Sequence, residues 1–226
     1  IEKEKYFLNK IKNKNDLLNF KIKNIHVGDL FYDTFLKIHK CETIDIQEQK
    51  FKNFFLDCIY LFNWWYDYIS NNKKLIKYVI VVHTVYTFGL VTRIASSFNI
   101  ETLQVSHKNI VKINKKNKYI KDNVNKNISQ IKNFKKQEIV DFSKNSIKKI
   151  VEGKNKFGKN FNKKLKNKFV LSKKTKYNIL VCCHSFSDAP HVYGNFFKSD
   201  FYEWLNFLGK ISEKTSYTWL IKPHPL

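Results

Sequence analysis

The sequence predicts an α/β protein, a doubly wound arrangement in two halves, and three observations carry that prediction. Short apolar runs of strand length alternate with stretches of helical periodicity. Two of the runs, KYVIVV (77–82) and YNILVCC (177–183), are apolar without alternation, as strands covered on both faces of a parallel sheet must be. The alternation is interrupted once, by a lysine-rich stretch that divides the chain.

Taken in order, NFKIKNIHV (19–27) reads as the first strand, and Gly28 with Asp29 turns it into the helical stretch LFYDTFLKI (30–38). Phe51, Phe54, Phe55, Cys58, Phe62, Trp65, Tyr66 and Ile69 recur at helical spacing and mark one face of a long amphipathic helix. KYVIVV follows and leads to His83; TFGLVTRIASSF (87–98) reads as a helix; ETLQVS (101–106) is a third strand, again followed by a histidine, His107. Within the lysine-rich stretch, Ile120, Val124, Ile128 and Ile131, then Ile147, Ile150, Phe157, Phe161 and Leu165, fall on one helical face, although Gly153 and Gly158 weaken a helix there. YNILVCC resumes the α/β rhythm as a buried strand. The loop HSFSDAPHVYGN (184–195) leads to a helix with Asp200 as N-cap, Glu203 three residues on, and Phe201, Trp204, Leu205 and Leu208 inward. SYTWLIK (216–222) is the last strand. The expected organisation is an incomplete α/β domain over 1–110, a basic helical connection over 111–175, and the start of a second α/β domain over 176–226. The chain has no methionine and stops directly after a strand, so it is expected to be a piece of a longer protein, truncated at both ends.

A net charge of +23 raises the question of a polyanionic partner. From Lys108 to Lys176 there are 23 lysines against four acidic residues, a net of +19, which leaves +4 for everything else. The charge therefore belongs to one segment. Of the 42 basic residues only Arg93 is arginine, and base reading leans on the bidentate guanidinium fork, so sequence-specific nucleic-acid recognition is not expected. An AT-rich coding sequence would write the same excess of lysine, asparagine, isoleucine and phenylalanine. The cysteines, Cys41, Cys58, Cys182 and Cys183, lack CxxC spacing, and reduced thiols in the cytoplasm are the expectation. The richest apolar stretch, Phe51 to Ile69, carries Asp57, Asn63 and Asp67, which no bilayer-spanning helix would place there.

The terminal WLIKPHPL holds a histidine between two prolines. Pro223 and Pro225 fix their own φ angles and Pro225 presses His224 toward extended backbone, so the imidazole would project from a strand tip at low entropic cost. Lys222 beside it supplies a point charge suited to a phosphate. The alternative is a plain turn. Upstream, His184, Ser185, Asp188 and His191 occupy the tip of the preceding strand, where Asp188-Ala189-Pro190 could equally be only a turn.

The segments HSFSDAPH, FFKSDFYEWL, WLIKPHP, VGDLFYDT and HTVYTFGLVTRIA resemble the GT-B glycosyltransferases of bacterial capsule and surface polysaccharide biosynthesis. The His-Pro pair is also similar to the nucleotide-binding element of sialyl- and Kdo-transferases and of polyglycerophosphate transferases. The resemblance implies two Rossmann-like domains, the acceptor on the first and a nucleotide-sugar donor on the second, with inverting transfer to a saccharide or lipid-linked acceptor at the cytoplasmic face of the membrane. No cofactor or metal is expected, since no DxD is present to hold one. On this reading Lys222 and His224 stabilise the leaving nucleotide phosphate, His184, Ser185 and Asp188 position the donor, and His83, Tyr86 and His107 line the acceptor side. Asp29 is the candidate base, although it would also serve as N-cap of the helix that follows. Arg93 is expected to be an ordinary surface or ion-pair residue, and His26 and His39 to be packing residues. The runner-up functions are a lysine-rich RNA- or polyanion-binding protein, a CDP-glycerol-type glycerophosphotransferase of the same fold, and a catalytically inactive scaffold.

If the +19 segment acts on a membrane, each near-surface lysine contributes about 1 kcal/mol on an anionic leaflet. The full-length protein should then sediment with anionic but not neutral vesicles and be released by salt, and vesicle binding that ignores lipid charge would return the lysines to coding bias.

Overall fold

The computed structural model describes residues 6–105, 110–115, 136–152, 178–194 and 196–224. The chain divides into two compact units, Ile1–Asn123 with His184–Ile211, and Val124–Cys183 with Ser212–Leu226. Both mix helices with small sheets, so the α/β class holds. His184–Ile211, assigned by sequence to the second domain, belongs to the first unit, whereas the strands on either side of it belong to the second.

In the first unit, helix α1 (Lys14–Leu18) starts at Asn13, whose side chain accepts the Asp16 N–H. Residues 19–27, expected as one strand, form a tight hairpin of β1 (Lys21–Ile22) and β2 (Ile25–His26), antiparallel with Ile22 opposite Ile25. Lys23 and Asn24 take φ of 50° and 62°, the double left-handed turn of a two-residue hairpin. Asparagine tolerates that conformation, and lysine is carried into it without the usual glycine.

Helix α2 (Gly28–His39) is buried for nine consecutive residues, Gly28 to Leu36, before Lys37 and Ile38 emerge. Its N-cap position is Val27, with no side-chain cap, so Asp29 is not the N-cap; it lies inside the first turn. Gly28 is demanded by packing, because a Cβ there would collide with the Leu17 carbonyl oxygen. Helix α3 (Gln49–Asn72) appears where its period placed it and buries Phe51, Phe55, Cys58, Ile59, Phe62 and Ile69. Phe20, Phe31 and Phe55 meet ring to ring, with Phe20 and Phe55 centroids 5.0 Å apart, and form the middle of the core.

Strand β3 (Tyr78–Val81) pairs parallel with β4 (Glu101–Val105) through helix α4 (Phe88–Ser97), a β-α-β unit, and β5 (Ile110–Ile113) adds an antiparallel edge. The expectation that β3 is covered on both faces fails. α4 packs on the sheet, yet Tyr78, Ile80 and Val82 stand exposed, Ile80 at 65%. Helix α5 (Lys136–Val151) and the parallel pair β6 (Asn178–Cys182) and β7 (Thr218–Lys222) belong to the second unit, with Cys182 opposite Lys222. Strand β6 is not buried on both faces either, since Leu180 is exposed. Ile120, Val124, Ile128, Ile131, Phe157, Phe161 and Leu165 lie outside the described residues. Helix α6 (Phe201–Ser212) begins as the sequence indicated: the Glu203 N–H donates to the Asp200 side chain at 2.8 Å. Among the described residues no helix is long and apolar enough to cross a membrane.

Because Gly28 touches backbone rather than a movable side chain, Gly28→Ala should lower stability by roughly 1–3 kcal/mol or more. A thermal or urea unfolding midpoint equal to that of the parent would show that α1 and α2 are not so closely apposed.

Candidate functional site

A helix buried on all sides cannot carry ionisable groups without partners, and α2 carries three such groups at positions i, i+3 and i+4: Asp29, Tyr32 and Asp33. Asp29 is met by Arg93 from α4, with the two guanidinium nitrogens 2.5 and 2.7 Å from the two carboxylate oxygens. The same guanidinium donates to the His26 carbonyl. Burial would push the Asp29 carboxyl up, but the charge and hydrogen bonds of Arg93 outweigh it and hold the group at about 2. Both oxygens are thus engaged and the carboxylate is a weak proton acceptor, which argues against the base role expected of it. Arg93 is no surface residue; it is 8% exposed and holds α4 against α2.

Asp33 faces the loop that follows β6. Its two oxygens take the His191 ring Nδ1 at 2.5 Å and the His191 backbone N–H at 3.2 Å. Burial dominates here and raises the Asp33 carboxyl to about 6. The His191 ring is also shifted upward: burial alone would lower it, but the hydrogen bond and charge of Asp33 prevail. Nε2 of His191 is buried without a partner in hydrogen-bonding geometry, the Ser199 backbone lying near enough only to favour the protonated ring. Tyr32 donates to Asp200, which also accepts from Thr43. Burial and the neighbouring Asp200 carboxylate keep the Tyr32 phenol protonated. Helix α2 therefore pins residues 191 to 200 at two points.

A third tether lies at the surface of the same unit. Tyr86 donates to the Asp188 carboxylate at 2.6 Å, and Lys37 stands 3.8 Å from the same oxygen. Burial opposes ionisation of Asp188, but the Tyr86 hydroxyl, the Ala189 N–H and Lys37 bring its pKa below the ordinary value. Burial and the adjacent carboxylate shift Tyr86 the other way, so it remains a donor. Tyr86 reaches Asp188 from a left-handed backbone, φ 56°, a conformation that costs a bulky residue energy and persists only where its surroundings hold it.

Around this tether opens a cleft of about 590 Å³, walled by Lys37, His83, Tyr86, His184, Asp188 and Phe201 among others. It lies where the chain leaves β3, at the carboxyl end of a parallel strand, where ligands of such sheets collect. The His184 ring stacks on Phe201 with centroids 5.0 Å apart. Four of the residues singled out by sequence, His83, Tyr86, His184 and Asp188, thus share one cleft, although His83 and Tyr86 were assigned to a different domain from His184 and Asp188. Ser185 is buried and shapes the loop, its carbonyl accepting the Asp188 N–H. The segment is a turn, and the Asp188 carboxylate is bound by Tyr86. Asp29 borders a separate cavity of about 170 Å³ together with His26 and His191. Lys222 and His224 are exposed at the end of β7 in the second unit. His107 and Pro225 lie outside the described residues.

Sequence reasoning missed Tyr32, Asp33 and its pairing with His191, and the partner of Asp29. A signal existed: GDLFYDTF places two carboxylates on a helix otherwise too apolar to be exposed, and a chain that uses lysine almost throughout spends its single arginine where a planar fork can meet one of them. No family model matches this chain, nor does any curated protein or solved structure compared with it.

Asp29→Asn would remove the carboxylate charge that faces a buried guanidinium, at a cost of roughly 3–5 kcal/mol. A carboxyl lowered from 3.8 to about 2 contributes about 2 kcal/mol that is present above the unfolded pKa and lost as pH falls through the folded one. Urea titrations of the parent between pH 5 and pH 2 should show that loss; Asp29→Asn should lack this part of the acid sensitivity, and an unchanged acid slope in the variant would show the pair does not form.

Proposed function

We propose that the chain is part of a metal-independent glycosyltransferase of two Rossmann-like domains, moving a sugar from a nucleotide-activated donor to a saccharide or lipid-linked acceptor of a surface polysaccharide. The observation that supports this reading is the cleft itself, in which His83 and Tyr86 share one cavity with His184 and Asp188. Its volume falls in the range of cavities that enclose small-molecule ligands. Imidazoles, a phenol, a carboxylate and an ammonium along one wall are the groups a transfer between polyhydroxylated substrates uses, and aromatic faces at Phe88 and Phe201 give a sugar or base ring something to lie against.

In the proposed reaction the acceptor oxygen bonds to the anomeric carbon of the donor as the bond from that carbon to the nucleotide phosphate breaks. The acceptor proton passes to His83, whose imidazole lines the cleft and is exposed, whereas Asp29 is committed to Arg93. The leaving nucleotide carries the electron pair away as phosphate, and cations or hydrogen-bond donors offset its charge. His184 and Asp188 orient the donor and Tyr86 fixes Asp188; Lys222 and His224, in the second unit, keep the phosphate role that the sequence motif suggests for them.

Calorimetric titration of the full-length protein with CMP, CDP and UDP, paired with a transfer assay, tests the reading. His83→Ala should reduce turnover by roughly 100-fold or more with nucleotide affinity unchanged. His184→Ala and His224→Ala should each weaken nucleotide binding roughly tenfold or more. A parent protein that binds none of these nucleotides, or a His83→Ala variant of full activity, defeats the proposal; tight salt-sensitive RNA binding in its place would favour a polyanion-binding protein.

A further inference from the structure

The first unit carries another cavity, of about 300 Å³, on which neither the sequence motifs nor the transferase reading draws. The β1–β2 hairpin supplies Lys21 and Asn24, the end of α4 supplies Ser96 and Ser97, and the end of β5 supplies Asn114 and Lys115. Arg93 and His26 form part of its wall.

Two independent features point to an anion. First, the lining residues include Lys21, Lys115 and Arg93 and no aspartate or glutamate. Arg93 is neutralised by Asp29, so the cavity's net charge comes from the two lysines. Second, Ser96 is 7% exposed and its hydroxyl has no hydrogen-bond partner among the described residues, a state that costs free energy unless something arrives to satisfy it. One effect opposes an anion here: Ser96 and Ser97 end α4, and a helix C-terminus carries about half a negative charge. That end is already covered, since the Ala95 and Ser96 carbonyls accept from Phe98, Asn99 and Ile100, and two full positive charges exceed half a negative one.

A bare oxyanion would leave most of the cavity empty, whereas the Asn24 side chain and the acceptor side of the Ser97 hydroxyl add neutral hydrogen-bonding groups to its wall. We propose that this cavity binds a monosaccharide-sized ligand bearing a fixed negative charge, a sugar phosphate or a sugar acid, with Lys21 and Lys115 on the charge and Ser96 donating to it. The role of that ligand as part of an acidic acceptor rests on the transferase reading; the binding itself does not.

The test uses glucose 6-phosphate, glucuronate, glucose and inorganic phosphate as probes of the full-length protein, followed by calorimetry or by NMR line broadening of the probe. At least one of the two charged sugars should bind at least tenfold more tightly than both glucose and inorganic phosphate, and which of them does so tells whether phosphate or carboxylate is the preferred charge. The double substitution Lys21→Gln, Lys115→Gln should weaken that binding roughly tenfold or more while nucleotide binding is retained. Ser96→Ala should weaken it several-fold without lowering the unfolding midpoint, because it removes an unsatisfied hydroxyl rather than a bond. Equal binding of glucose, equal binding of bare phosphate, or undiminished binding in the double variant overturns the inference, and in each case intact nucleotide binding leaves the transferase proposal standing.

Discussion

The paired charge of Asp29 and Arg93 is the constraint on which the first unit depends. Moving two ions out of water costs several kcal/mol each, and only close geometry with further hydrogen bonds offsets that cost. Here the fork is bidentate and the guanidinium also caps the His26 carbonyl, so both partners are nearly saturated. An apolar pair of similar size can hold two helices as well or better, so the contact matters here for the fixed bidentate geometry it sets between α2 and α4. Every other polar contact of α2 follows from that placement. Once Asp29 faces α4, Tyr32 and Asp33 face the loop and the start of α6, where Asp200 and His191 meet them.

The consequence for chemistry is stiffness. A loop of the length that separates Cys182 from Phe201 would ordinarily sample many conformations, and fixing each residue costs on the order of 1–2 kcal/mol. Three side-chain tethers, at Asp188, His191 and Asp200, are spread along this one. His184 and Asp188 are thereby held beside His83 and Tyr86, from a stretch of chain a hundred residues away. Positioning of this kind lets groups on a loop act with the precision of groups on a helix.

The cleft and the cavity beside the hairpin differ in electrostatics in a way that suits different ligands. The cleft mixes Lys37 with Asp188, so its field is balanced and its specificity would come from hydrogen bonds and ring faces. The cavity beside the hairpin has cations alone once Arg93 is counted with its partner. Arg93 thus serves twice: it closes the core on one side and lines a cavity on the other.

Periodicity determined much of this by itself. The eight apolar positions from Phe51 to Ile69 could bury only as one helix face, and the Asp200–Glu203 spacing could start only a helix, because both are local properties of 3.6 residues per turn. The strand–helix–strand order around TFGLVTRIA was legible for the same reason. Three things were decided by tertiary structure. Lys23 and Asn24 fold a strand-like run into a hairpin that returns Val27 and Gly28 to the Phe20 carbonyl, to which both donate. The apolar runs of β3 and β6 signal strands but not how many of their faces are covered, which depends on what packs beside them. And Asp29, read from its neighbours, looks like a base or a cap; its meaning comes from an arginine 64 residues on, because a charge takes its pKa and its role from whatever lies within a few ångströms in space.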